Sequence, residues 1–478
     1  MPIVLWTDAL VFLLIACAIG SGVYVSRREY LLASWRRVGE SRAGMAALTV
    51  LAAFILVGLL DSLHYRPRLE AVAGQSANGF GTEVRSALDV LLLPLKAATE
   101  KTYSAPLATH LYARETVELP DGTQARVFPR LKHGGVHLKD PAQDRGRDVA
   151  RHILRGLVLA VLAGLTFAAI ALQAAAVRWG VRWPAAWRRI RRGETRFAWN
   201  AVLATLAVLL LLAGPVVSLA GGYHVFGTDK VGQDVLYLTL KSIRTGLVIG
   251  TITTLAMLPF AVALGIVAGY LGGWVDDVIQ YLYTTLNSIP GVLLIAASVL
   301  MMQVVIDTHP DWFATSAQRA DARLLALCLI LGVTSWTGLC RLLRAETLKL
   351  RELEYVQAAQ AFGASASRIM GRHILPNVMH IVLIAVVMDF SGLVLAEAVL
   401  SYIGIGVDPS TISFGTMINT ARLELAREPV VWWSLVAAFA FMFVLVLAAN
   451  LFSDSVRDAF DPRIAGRRIA PAAQGQAA

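Results

Sequence analysis

The sequence predicts an all-α integral membrane protein, and three observations carry that prediction. Of 478 residues, 56% are apolar and only 16% are charged, whereas a soluble domain carries nearer a quarter charged residues. The apolar residues are gathered into long uncharged runs, and a bilayer core needs about 20 such residues as helix. These runs are continuous and do not alternate, and only helices or closed barrels satisfy their backbone in lipid.

The expected spans are, in order, 8–25, 43–60, 153–177, 200–220, 245–268, 288–306, 323–340, 379–400 and 431–452. The first has no basic stretch before it, so it reads as an uncleaved anchor and not as a signal peptide. Arginines orient the set, because positive residues stay on the cytoplasmic side of short loops. Arg27, Arg28, Arg36, Arg37 and Arg42 fall between the first two spans. Arg178, Arg182, Arg188, Arg189, Arg191, Arg192 and Arg196 fall between the third and fourth, and Arg457, Arg463, Arg467 and Arg468 lie in the tail. With these inside, 61–152 is outside and 341–378 is inside. The net charge of +10 then reflects loops beside anionic lipid. The arginines are not interleaved with aromatics, so no nucleic-acid partner is expected.

The chain divides into 1–60, an extra transmembrane hairpin; 61–152, an extracytoplasmic insert; 153–199, an extra span and basic cytoplasmic loop; 200–455, six spans with short loops; and 456–478, a cytoplasmic tail. In the insert, Leu119-Pro120-Asp121-Gly122 suits a tight turn between alternating flanks, predicting a small hairpin. From about 464 the tail is rich in Ala, Gln and Gly and is expected to be disordered. Cys17, Cys328 and Cys340 lie in or beside spans with no metal or disulfide spacing, and read as packing residues.

Between the seventh and eighth spans lies EYVQAAQAFGASASRIMGRHILPN, Glu354 to Asn377, too polar to face lipid. Glu352 to Phe362 has no breaker and good helix formers. Gly363 stops the helix, Ser365 or Ser367 can cap a second short helix running towards His373, and Pro376 suits the first turn of the next span. Ala358, Ala359 and Ala361 allow close approach of another surface, with Tyr355 and Phe362 as bulky ends on nearly one side. Such a helix either docks in another protein or rests on lipid, and spacing alone does not choose.

Resemblance does. Ala358, Ala359, Gly363 and Pro376 are similar to the EAA loop of binding-protein-dependent ABC importer permeases, with Gln357 where that motif's acidic residue stands. Gly227-Thr228-Asp229, Gly232-Gln233-Asp234 and Arg244 resemble the G-T-D-x-x-G-R-D opening of the C-type dipeptide/oligopeptide/nickel permeases. Gln233 and Ser242 depart from that pattern. From the residues alone, Asp229 or Asp234 caps a short amphipathic outer helix. Ala268-Gly269-Tyr270, Gly272-Gly273 and Asp276 resemble A-G-Y-x-G-G-x-x-D, whose glycines permit a sharp inner turn. The residues often following it are here Gln280-Tyr281 and Thr284. Glu397 to Gly406, with Phe414-Gly415, resembles E-A-x-L-S-F-L-G-x-G. The likeness covers roughly 190–463 and looks closest to microcin/oligopeptide permeases.

The resemblance implies a type I ABC importer permease core of six helices, here preceded by about three extra helices and the insert. It implies a multi-pass protein of a bacterial cytoplasmic membrane. The implied partners are a second permease, two ATP-binding subunits and an extracytoplasmic substrate-binding protein. The implied cargo is a peptide-like solute, with nickel or another small solute as the alternative. Tyr355 to Gly363 would be the helix that couples to an ATPase, with Arg368 and Arg372 placed to reach it. The sequence has no G-x-x-x-x-G-K-[ST], so no phosphate-cradling loop; no cofactor is expected on this chain, and ATP and Mg belong to the partners.

Asp389 and Glu397 fall in an apolar span, where carboxylates are costly. Each is either a polar point on the substrate path or a structural hydrogen-bonding group. Arg341, Arg344, Lys349 and Arg351 are expected to mark the inner boundary and meet headgroups. Trp432 and Trp433 read as interfacial anchors, and His373 and His380 as structural. A reading of another class is a membrane enzyme using His64, His110, His133 and His137 of the insert. His133 and His137 have two glycines between them and no zincin glutamate, and a zinc site needs three ligands.

Overall fold

The computed structural model describes residues 2–27, 29–67, 81, 84–118, 124–313 and 315–460. The Leu119–Gly122 turn and the tail beyond 460 lie outside the described residues. The elements are β1 (Pro2–Ile3), α1 (Trp6–Ser26), α2 (Glu29–Glu40), α3 (Arg42–Ser62), β2 (His64–Tyr65), β3 (Arg85–Ser86), α4 (Ala87–Leu91), α5 (Leu93–Ala97), β4 (Glu115–Glu118) and β5 (Gln124–Val127). There follow α6 (Pro141–Trp179), α7 (Trp183–Arg192), α8 (Trp199–Ala220), α9 (Val235–Leu271), α10 (Gly273–Ser288), α11 (Gly291–Thr308), α12 (Ser316–Ser335) and α13 (Thr337–Arg351). The last are α14 (Glu354–Ala361), α15 (Ala366–Ile369), α16 (Leu375–Ile403), α17 (Phe414–Glu424) and α18 (Trp433–Phe460). Among the described residues, 9 helical stretches are long and apolar enough to cross a bilayer, one for each expected span. Strands β4 and β5 pair antiparallel, Glu115 with Val127 through Glu118 with Gln124, so the insert's hairpin forms.

Two compact units emerge: Met1–Ile3, Val23–Thr245 and Ile412–Ser455 make the first; Val4–Gly22, Gly246–Thr411 and Val456–Ala478 make the second. Helix α1 belongs to the second unit and α3 to the first.

In the first unit, the insert is stitched to the turn that precedes α9. Thr228 is fully buried; its hydroxyl donates to the Thr102 carbonyl at 2.9 Å and accepts from the Ser104 amide at 2.6 Å. Glu100 accepts from the His133 and Lys132 amides at 2.7 and 3.0 Å and faces His224 Nε2 at 3.5 Å. On its other side His224 Nδ1 meets Asp234 Oδ2 at 2.7 Å. Burial alone would lower the imidazole's pKa, but hydrogen bonds to Asp234 and Glu100 carry it up to about 9. Burial pushes Glu100 up, and the His224 contact with the two amides outweighs it and holds the carboxyl low.

Asp234 accepts from the Leu236 and Tyr237 amides at 2.8 and 3.3 Å, an N-cap. The helix it opens differs from expectation: it is no short outer segment but the span itself, unbroken from Val235 to Leu271. Lys241 lies in the first part of this helix. Its ammonium is met by Asp61 at 2.5 Å and Asp89 at 3.2 Å, carboxylates from distant parts of the sequence. Trp433 is also corrected. It is buried, and its indole donates to the Thr228 carbonyl at 2.9 Å, leaving Trp432 as the exposed one.

In the second unit, α1 is tied to α12 by the Thr7 amide and hydroxyl donating to Asp321, and Leu10 and Val11 pack beside buried Leu324 and Leu327. Helices α9 and α13 cross where Gly265 and Gly269 lie. A methyl on Gly265 would stand 2.8 Å from the Cys340 carbonyl oxygen, and one on Gly269 would stand 2.7 Å from that of Arg344. Small residues four apart let membrane helices touch at the backbone. Gly269 is thus a packing glycine inside α9. The turn falls to Gly272 and Gly273, with φ of 65° and 55°, a region costly to other residues.

Candidate docking site on the inner loop

Helix α14 ends as its sequence requires. Phe362 is its C-cap residue and Gly363 follows at φ 75°. The Gly363 amide reaches the Gln360 carbonyl at 3.0 Å and the Ala364 amide reaches that of Ala359 at 3.1 Å. That pair of bonds is a Schellman closure.

The helix has two unlike faces. Val356 is 1% exposed and sits in a core with Cys340, Leu343, Ile369, Ile374 and Val378. Ala359, three residues on, is half-buried against the same core. The other face is open. Tyr355 is 42% and Phe362 90% exposed, with Gln357, Ala358 and Ala361 exposed between them. The structure thus brings Tyr355, Ala358 and Phe362 onto one free face, at the i, i+3, i+7 spacing of a docking helix. Ala359 is turned away from it.

Tyr355 is fixed from behind. Its hydroxyl accepts from Asn377 Nδ2 at 3.1 Å, and its ring lies 6.2 Å from that of His373. The Asn377 amide also donates to the His373 carbonyl at 2.6 Å. The free face of α14 is thereby tied to the start of α16. Arg368, Arg372 and Pro376 are exposed. The expected second short helix does not end near His373. Helix α15 runs through a π-turn, Met370–Ile374, directly into α16. Pro376 has no N–H and its ring crowds the carbonyl four residues back; a wider turn accommodates it.

Of the basic residues before α14, Arg344 and Arg351 are engaged within the chain, against the expectation that they meet headgroups, while Arg341 and Lys349 stay exposed. Arg344 grips Asp276 with two bonds of 2.5 and 2.6 Å, which hold that carboxyl below its usual range. Arg351 donates to the Tyr270 carbonyl at 3.1 Å, Lys349 pairs with Glu346 at 3.0 Å, and the Arg341 guanidinium lies 5.7 Å from the Tyr283 ring centre. His380 Nδ1 bonds the Asn377 carbonyl at 2.7 Å, a structural role.

The two carboxylates of α16 differ. Glu397 is buried and accepts from Ser401 at 2.6 Å. Asp389 is half-buried, with no hydrogen-bond or ion-pair partner among the described residues. The insert's histidines do not converge: His64 lies in β2 opposite Ser86, His110 bridges to Arg130, and the His133 amide serves Glu100.

Sequence reasoning missed Val356, Asn377 and the Asp276–Arg344 pair. Val356 had a signal, the lone aliphatic between polar neighbours in a short helix. The other two had none, because their partners lie 22 and 68 residues away.

Residues 261–466 match the family model described as "Binding-protein-dependent transport system inner membrane component". The chain is 30% identical over 242 residues to the oligopeptide transport system permease protein OppC of Mycobacterium tuberculosis (strain ATCC 25618 / H37Rv), covering 51% of this chain and 77% of the relative. It is 32% identical over 240 residues to the dipeptide transport system permease protein DppC of Lactococcus lactis subsp. cremoris (strain MG1363), covering 50% of this chain and 64% of the relative. It is also 27% identical over 293 residues to the DppC of Bacillus subtilis (strain 168), covering 58% and 85%.

Proposed function

Because the chain belongs to the family of binding-protein-dependent transport system inner membrane components, we propose that it is one permease subunit of an ATP-driven importer whose cargo is a peptide-like solute. It is a multi-pass inner-membrane protein and a transport component. ATP and Mg bind and react on two separate ATP-binding subunits; a second permease completes the pathway, and an extracytoplasmic binding protein delivers the cargo. One observation carries the coupling: α14 presents a face of Tyr355, Ala358 and Phe362 that its own chain leaves open. ATP-driven closure of the partners moves α14, and the Tyr355–Asn377 contact and the unbroken run from α15 into α16 pass that movement to the span. Closure shifts the conformation only because the closed partners bind one state of the loop better than the other. Gln357, Gly363, Arg368, Arg372 and Pro376 shape and flank the contact. Peptide cargo is supported by the names of the relatives. Asp389, whose carboxylate has no partner among the described residues, is the better of the two acidic candidates for the substrate path, and Glu397 is structural.

The test is site-specific cross-linking. Ala358→Cys in the assembled complex should cross-link to an ATP-binding subunit, with a yield that changes on adding ATP and Mg. A yield no higher than that of a cysteine on the lipid face of α16 would overturn the docking reading. Uptake of labelled peptides by the reconstituted complex, against nickel and other small solutes, decides the cargo.

A further inference from the structure

Outside the permease motifs, two histidines and an aspartate meet. His137 closes the insert, and Asp148 and His152 stand one turn apart on the first part of α6. One donor atom from each lies within 4.8 Å of the others. His137 Nε2 is 2.7 Å from Asp148 Oδ2, and His152 Nε2 is 3.9 Å from the same oxygen. Ligands of a tetrahedral ion with bonds of about 2.0–2.1 Å stand roughly 3.3 Å apart, so the two spacings bracket the required value.

The surroundings are those of a built site. His152 Nδ1 lies 2.9 Å from the Ser218 carbonyl of α8, which can only accept. That nitrogen therefore carries a proton, which leaves Nε2, on the carboxylate side of the ring, as the atom able to serve as a ligand. The Tyr223 hydroxyl donates to Asp148 Oδ2 at 2.8 Å, fixing the carboxylate. Supporting hydrogen bonds of both kinds orient metal ligands and tune affinity. The α8 partner is held close because α6 and α8 touch at glycines: a methyl on Gly156 would stand 2.5 Å from the Gly214 carbonyl oxygen. The His137 side chain is 45% exposed, which leaves further coordination positions open to water.

We propose that His137, Asp148 and His152 bind a first-row divalent cation, with Zn²⁺ the best fit to two imidazoles and one carboxylate. The ion fastens the end of the insert to α6 on the side expected to be extracytoplasmic. The histidine pair the sequence suggests, His133 with His137, is not the site; His137 finds its partners on a helix 11 and 15 residues away.

The experiment uses the full chain in detergent or nanodiscs, purified without a polyhistidine tag and stripped with chelator. Titration with Co²⁺ should saturate at one ion per chain with visible ligand-field bands, and Zn²⁺ should displace it. His152→Ala should abolish the bands, and Tyr223→Phe, which keeps all three ligands, should weaken Zn²⁺ binding by about 10–100-fold. The Co²⁺ spectrum of the unaltered chain needs no variant to fold; its absence overturns the proposal.

Discussion

Phe362→Ala separates docking from folding. Phe362 is 90% exposed and closes α14 through its backbone, so its side chain contributes little to this chain alone. Exposed substitutions of this kind change stability by about 0.5 kcal/mol or less. If the ring seats in a pocket of an ATP-binding subunit, its burial contributes about 1.5–3 kcal/mol to binding. At about 1.4 kcal/mol per tenfold, Phe362→Ala should weaken docking roughly 10–150-fold while thermal unfolding stays unchanged. Val356→Ala is the opposite case. Val356 is 1% exposed, and losing two buried methylene equivalents costs about 2 kcal/mol of stability with no direct docking contact removed. The assay titrates labelled ATP-binding subunits onto the permease pair in nanodiscs, with unfolding followed in parallel. If Phe362→Ala docks within twofold of wild type, or melts as early as Val356→Ala, the two-faced reading of α14 is wrong.

Other consequences are as direct. Gly265→Ala would place a methyl 2.8 Å from a backbone carbonyl and should destabilise by about 1–3 kcal/mol, whereas Gly392→Ala, with nothing within 4 Å, should be neutral or stabilising; thermal unfolding compares them. His224 is raised to about 9 from 6.5, so its contribution is full below pH 6.5 and lost as pH rises through about 9. Glu100, lowered from 4.5, contributes above pH 4.5 and loses its contribution as pH falls through its folded value. Stability should therefore plateau between about pH 4.5 and 6.5 and fall on both sides, with the alkaline fall absent in His224→Gln; unfolding scans across pH read this. Arg344→Lys cannot make the two-bond grip on Asp276 and should cost about 1–3 kcal/mol, lowering ATPase coupling as the loop loosens.

The spans were legible because lipid demands long apolar runs, and the limits of α14 were legible because Gly363 is a local stop. What stayed hidden depends on residues far apart in sequence. The start of α9 at Val235 was hidden because the carboxylates that meet Lys241, Asp61 and Asp89, lie far off in the sequence. Gly269 looked like a turn glycine because the backbone it touches is that of Arg344. Arg344 and Arg351 looked free because Asp276 and the Tyr270 carbonyl lie 68 and 81 residues away. The Asp148–His152 pair was readable, at one helical turn, but the third ligand arrives from a loop with no periodicity to mark it.

The π-turn at Met370–Ile374 also sets an angle. Such a turn holds one residue more than an α-helix would over the same rise, and each helical residue turns the chain by about 100°. Deleting Gly371, whose surroundings are open, would remove the surplus residue, swing α14 by about that angle around the axis of α16, and set the Pro376 ring back against the carbonyl four residues before it. The direction in which this subunit offers its aromatic pair is thus written in one surplus residue, and natural insertions or deletions there would re-aim the subunit without altering a single contact residue.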